Sequence, residues 1–210
     1  MRQTVKPIEK TLVWQPSHKG VSVNASMDVR VHPFNSRRVV LIVPGVDGSV
    51  DGYEGKYIKM ADQALAKGYG VVRVANPFIS SFHWDDNLRQ AIEYIITNSQ
   101  EHLDNNEVTI SIIAHSAGAS VAAWVAWEYP NIEKLILINA AAKLKPELIV
   151  SGLEHYNGDT HLVYGSKDPS VDFIGQLPSK YKTTIVEGAD HVFSGHHLEE
   201  FINMTTLLDD

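Results

Sequence analysis

Hydrophobic and polar positions along the chain fall into two alternating periods. Val21, Val23 and Ala25 are separated by polar residues, the two-residue period of a half-buried strand, so Val21–Val31 is predicted as an opening strand after Thr11–Trp14. Arg38–Val43 is a continuous apolar run closed by Pro44-Gly45, which suits a central strand buried on both faces and ended by a turn. Tyr57, Met60, Ala61, Ala64 and Leu65 recur at helical spacing, and Gly68 ends that helix. Gly70–Ala75 is the next strand. Asp85-Asp86-Asn87 offers N-caps for a helix whose apolar face is Leu88, Ala91, Ile92, Ile95 and Ile96. Val108–Ala114 (strand), Ala117–Trp127 (helix), Glu133–Ile138, His161–Tyr164 and Lys182–Val186 (strands) and Gly195–Leu207 (closing helix) continue the series. Alternation of this kind predicts an α/β fold, a mostly parallel sheet with helices on both faces, and directs attention to the residues just after each strand.

Composition narrows the picture. A chain of 210 residues is expected to form a single domain over 1–210, and one that buries roughly 70% of its unfolded surface. No cysteine is present, which excludes a disulfide framework, a thiolate metal site and a cysteine nucleophile. The formal charge of −7, from 18 Lys+Arg against 25 Asp+Glu, argues against nucleic acid or an anionic membrane as the main partner. Met1–Lys10 carries charge and no apolar stretch, so no leader peptide is expected there and the cytoplasm is the default location. No internal repeat or low-complexity linker divides the chain. Composition leaves oligomeric state open.

Chemistry enters after the Val108–Ala114 strand, where Ala114-His115-Ser116-Ala117-Gly118 leads directly into a helix. This is a small-x-Ser-x-Gly elbow: the serine sits on a sharp strand-to-helix turn that tolerates only small neighbours and lifts the hydroxyl to the top of the sheet. A serine needs a base to be a nucleophile near neutral pH, and the histidine base needs an acid to hold its tautomer. His191 lies in Glu187-Gly188-Ala189-Asp190-His191, before the closing helix, and Asp168 follows the preceding strand in Gly165-Ser166-Lys167-Asp168-Pro169. Each of the three follows its own strand, so Ser116, Asp168 and His191 are expected to meet at one sheet edge as nucleophile, acid and base. Asp172 is the fallback acid. Asp190 is a neighbour of the base, and adjacent residues of an extended stretch point opposite ways. His196 and His197 read as solvated or core histidines.

Two backbone donors are needed for an oxyanion hole. The Ala117 N–H, just after the serine, is one candidate. The Val46 N–H, in the loop Pro44-Gly45-Val46-Asp47-Gly48-Ser49, is the other. Gly45, Phe78 and His115 are candidates for contact with substrate; His115, inside the elbow, is expected to point away from the Ser116 hydroxyl. Gly55-Lys56-Tyr57 lacks the remaining parts of a phosphate loop, and no metal-ligand spacing occurs, so no metal site is expected. Trp124 and Trp127 read as core or as a face between copies.

On these residues — the elbow around Ser116, Asp168 after its strand and His191 before the last helix — the chain resembles the α/β-hydrolase superfamily over nearly its whole length. The resemblance implies about eight strands, an acyl-enzyme route to ester, thioester or amide hydrolysis, and no cofactor. Two features depart from many relatives. Pro44-Gly45 stands where they carry His-Gly, which keeps the backbone donor. Ala75-Asn76-Pro77-Phe78 through Trp84 replaces an Asp and a glycine-rich turn, and its aromatic residues are candidates to line a pocket. The stretch Asn139–Asp159 is too short for a full cap and leaves room for a helix or two. The expectation is a serine esterase or thioesterase with a shallow site for a small or medium acyl group. The alternatives are a non-catalytic scaffold for protein or small-molecule binding, and an acyltransferase or peptidase of the same fold.

Overall fold

A computed structural model describes residues 6–32, 36–102 and 108–210, so Met1–Val5 of the stretch read for a leader lie outside the described residues. The elements in chain order are β1 (Ile8–Trp14), β2 (Ser17–His18), β3 (Val21–Ser22), β4 (Ala25–His32), β5 (Arg38–Val43), α1 (Lys56–Ala66), β6 (Gly70–Val74) and α2 (Asp86–His102). They continue as β7 (Thr109–His115), α3 (Ala117–Val125), β8 (Ile132–Ile138), α4 (Pro146–His155), β9 (Asp159–Gly165), β10 (Lys182–Val186) and α5 (His197–Ile202).

Eight of the strands form one sheet in the order β1-β4-β6-β5-β7-β8-β9-β10. Only β4 runs against the rest, pairing antiparallel with both β1 and β6. The sheet from β6 to β10 is parallel. The two-residue period of a strand divides the central residues between two cores. Val39, Leu41 and Val43 of β5 face the side covered by α2 and α3, with Leu88, Ile92, Ile95 and Trp124. Val40 and Ile42 face the side covered by α1 and α5, with Tyr57, Met60, Ala64 and Phe201. Because both faces are covered, β5 reads as an unbroken apolar run.

Three sequence expectations are corrected in detail. Val21–Val31 is not one strand: Lys19 and Gly20 take positive φ (49° and 78°), so β2 and β3 fold into a separate two-residue hairpin. Val21 is accordingly 66% exposed, and the buried alternation begins only at Ala25, Met27, Val29 and Val31. The helix after the elbow ends at Val125 and tightens into a 3-10 turn over Ala126–Glu128. The closing helix is α5 followed by a 3-10 turn over Asn203–Asp209. Between β8 and β9 there is one helix, α4, packed on α3 so closely that a Cβ on Gly152 would lie 2.4 Å from the Ala123 carbonyl oxygen. Among the described residues no helix is long and apolar enough to cross a membrane.

Candidate active site

The carboxyl ends of β5, β7, β8, β9 and β10 meet at one edge, and Asp47, Ser116, Asn139 and Phe193, in the segments that follow β5, β7, β8 and β10, take positive φ. β7 ends at His115, and Ser116 takes φ 56°, ψ −125° before α3 begins at Ala117. A non-glycine residue in such a region costs about 1–3 kcal/mol and persists only when its surroundings hold it. Here the Ser116 N–H donates to the Ile138 carbonyl of β8 at 2.9 Å, and the Ser120 N–H returns to the Ser116 carbonyl at 3.1 Å. Gly118 is required by contact: a Cβ there would sit 2.3 Å from the Pro44 carbonyl oxygen. The same closeness brings Gly45 alongside the serine, where a Cβ would lie 3.4 Å from Ser116 Oγ.

His191 and Asp168 arrive from the neighbouring strands. Ser116 Oγ donates to His191 Nε2 at 2.8 Å, and His191 Nδ1 donates to Asp168 Oδ2 at 2.5 Å. These partners place the imidazole proton on Nδ1 and leave Nε2 free to accept. The Asp168 side chain is fully buried, and its other oxygen accepts the Ser170 N–H at 2.6 Å, so both oxygens are engaged. Asp172 lies exposed on a 3-10 turn. Asp190 is occupied by its own turn, accepting the Val192 and Ser194 N–H groups and the Ser194 hydroxyl, which lowers its pKa. His196 is exposed, and His197 pairs with Glu200 at 2.5 Å.

Of the residues expected to touch substrate, Gly45 and Phe78 stand at the open edge, and Phe78 is 50% exposed. His115 does not. Its ring is buried beneath His191, 5.3 Å from that ring and from Phe201, and Nε2 bonds the His191 carbonyl at 2.8 Å. A strand alternates its side chains, so the residue before the serine turns into the core. Burial, with the Lys56 ammonium nearby, pushes the His115 pKa down to about 3. Lys56 is itself buried, its Nζ 3.8 Å from the Phe201 ring centre, and burial lowers its pKa to about 8.

Two asparagines at this edge were not singled out as functional candidates in the sequence. Asn76, after β6, donates from Nδ2 to the Pro44 carbonyl at 3.0 Å, accepts from Asn87 at 2.8 Å and pairs its backbone with Gly48. It fixes the loop that carries Val46. Asn139, after β8, is completely buried and bonds the loops of both Asp168 and His191. The available signal was position: each is a polar residue just beyond the end of a strand, on the edge where chemistry gathers.

Around the serine the surface is open. Val46, Phe78 and Val192 are each 44–50% exposed. The crevice between Val46, Asn76, Phe78 and Trp84 measures about 10 Å³, room for about one water. A larger cavity of about 310 Å³ lies at the opposite ends of the strands, lined by Lys134, Tyr156, His161 and Lys182, and contains none of the site residues. Among the described residues no group of three or more His, Asp or Glu is placed to hold a metal ion.

No family model and no curated protein sequence matches the chain. Solved structures do. Est1E from Butyrivibrio proteoclasticus superposes with a TM-score of 0.65 at 16% identity, over 94% of this chain and 97% of that one. A dienelactone hydrolase from Anabaena variabilis gives 0.66 at 18% identity over 96% of each chain. The esterase Pf2001 of Pyrococcus furiosus gives 0.68 at 14% identity, over 95% of this chain and 92% of that one. Together with the eight-stranded, mostly parallel sheet, these likenesses establish that the chain has the fold of the α/β-hydrolase superfamily.

Proposed function

We propose that the chain is a serine hydrolase of esterase or thioesterase type, acting on small or medium acyl groups. The observation that carries this is the unbroken hydrogen-bonded line from Ser116 Oγ through His191 to the buried Asp168 carboxylate. A buried carboxylate aligned on the far nitrogen of an imidazole stabilises the imidazolium that forms when the serine loses its proton. Ester chemistry is also what the names of Est1E's structural companions, an esterase and a dienelactone hydrolase, record for those proteins.

In this reading Ser116 Oγ attacks the acyl carbonyl while His191 Nε2 takes the hydroxyl proton. The resulting oxyanion is stabilised by the Ala117 N–H, at the first turn of α3, and by the Val46 N–H. His191 then protonates the leaving alcohol or thiol as the carbonyl re-forms, leaving an acyl-Ser116. Water enters from the open side, where the His191 side chain is 39% exposed. His191 removes its proton, and collapse of the second tetrahedral adduct releases the acid and restores the Ser116 hydroxyl. The acyl group rests on an open ledge formed by Val46 and Phe78 rather than in a deep slot.

The test is labelling with a fluorophosphonate and turnover of a panel of p-nitrophenyl esters, beside Ser116→Ala. Labelling and hydrolysis by the wild type alone are expected. A wild type that neither labels nor turns over any ester above the variant overturns the reading in favour of a binding scaffold.

A further inference from the structure

Two buried side chains converge on the backbone of His191. Asn139 donates from Nδ2 to the carbonyls of Asp190 at 3.1 Å and His191 at 2.9 Å, and its Oδ1 accepts the Gly165 N–H at 2.8 Å. His115 donates from Nε2 to the same His191 carbonyl at 2.8 Å. That carbonyl therefore has both lone pairs engaged by donors from buried residues. Asn139 has φ 47°, a left-handed conformation in which asparagine is enriched, and its own N–H donates to the Val163 carbonyl at 2.8 Å.

The same residue joins the two loops that carry the acid and the base. A Cβ on Gly165 would lie 2.3 Å from the Ala189 carbonyl oxygen, so the loop after β9 and the loop after β10 touch backbone to backbone. Lys167 N–H donates to the Ala189 carbonyl at 3.0 Å, and Gly188 N–H to Ser166 Oγ at 2.8 Å. The Asn139 amide lies where this joined pair meets β8. The His191 ring has to hold 2.5 Å to Asp168 and 2.8 Å to Ser116 at once, yet 39% of its side chain is open to solvent. Side-chain packing leaves that ring partly free, so its placement falls to the backbone.

Resting on the serine-hydrolase reading above, we propose that Asn139 and His115 are positioning residues that clamp the His191 carbonyl and so hold the imidazole in line between Asp168 and Ser116. Both act through the backbone of the base: the polar atoms of Asn139 are taken up by main-chain groups, and the His115 ring lies beneath the site. Loss of alignment by about 1 Å costs on the order of a hundredfold in rate.

The test uses Asn139→Gly, which keeps the permitted backbone, and the pair His115→Leu and His115→Gln. Asn139→Gly is expected to lower kcat by roughly ten- to a hundredfold with KM within about twofold, and to slow fluorophosphonate labelling in parallel. His115→Leu is expected to lower kcat less, with His115→Gln restoring part of the loss through its own N–H donor. By NMR, the His191 Nδ1 proton is expected to exchange with water at least about tenfold faster in Asn139→Gly. Unchanged kcat in folded Asn139→Gly, or a loss confined to KM, overturns the clamp. Should Asn139→Gly not fold, equal activity of wild type, His115→Leu and His115→Gln overturns it. A wild type that does not label removes the serine-hydrolase reading; the Nδ1 proton then decides the clamp alone, and unchanged exchange overturns it.

Discussion

The two halves of the site are built in opposite ways. On one side, Asp168, His191 and their supports Asn139 and His115 form a nearly closed set in which each buried polar atom meets a partner. On the other, Val46 and Phe78 stand on a loop pair held by Asn76 and present apolar surface to solvent. On the proposed serine-hydrolase reading, the difference follows from what each half has to do. Proton transfer tolerates little displacement, so its groups are fixed by short bonds, with the acid and both supports buried beneath a partly exposed His191 ring. Accepting an acyl group requires access, and here Val46 and Phe78 are 44% and 50% exposed.

Changes in the closed half should act on kcat, and changes in the open half on KM. The largest effect is expected from Asp168→Asn, which disturbs the tautomer of His191; kcat should fall by on the order of 10⁴-fold with the fold retained, as steady-state kinetics and circular dichroism would show. A fall of less than tenfold would mean that the buried acid does not orient the base. Gly118→Ala tests the seam between the halves. Its Cβ would meet the Pro44 carbonyl at 2.3 Å, so the loop carrying Val46 must shift. Stability should drop by about 1–3 kcal/mol in chemical denaturation, and kcat by roughly a hundredfold as one oxyanion donor is displaced.

Lys56, beneath the closed half, gives a pH signature. Its folded-state pKa is lowered to about 8, by burial, from the ordinary 10.5. Below pH 8 both folded and unfolded chains carry the charge, and the full cost of burying it is present. Between pH 8 and 10.5 only the unfolded chain stays protonated, so wild-type stability gains as pH rises. Lys56→Met should therefore be more stable than wild type at pH 7, by up to about 3 kcal/mol less whatever the ammonium gains over Phe201. That advantage should fade toward pH 10.5 in thermal melts across the range. An advantage independent of pH would assign it to packing instead. The smallest effect belongs to the ledge: Phe78→Ala should raise KM about two- to tenfold for apolar esters, leave kcat within about twofold, and change stability by less than about 1 kcal/mol. A loss in kcat there would break the division between the halves.

Much of this arrangement was open to reading from the residues. Apolar periods marked the strands and helices because burial on one face or two leaves a period in the sequence. Ser116, Asp168 and His191 stood out because each follows a strand in a fixed order. His115 shows where such reading stops. It sits beside the serine in sequence, yet strand alternation and a contact with a carbonyl 76 residues away turn it into the core. Val21 shows the same limit from the other side, its alternation ending in an exposed hairpin because two residues with positive φ turned the chain off the sheet.

By itself, then, the sequence determined the alternating architecture and the order of the candidate-site side chains, since both are properties of local period and of position after a strand. Only the tertiary structure decided which polar residues support them. Asn139 becomes a clamp because β8 lies between β7 and β9 in the sheet, and Asn76 a brace because β6 lies beside β5. Strand order brings those loop backbones within hydrogen-bonding reach, and nothing local to an asparagine records which strands will flank it.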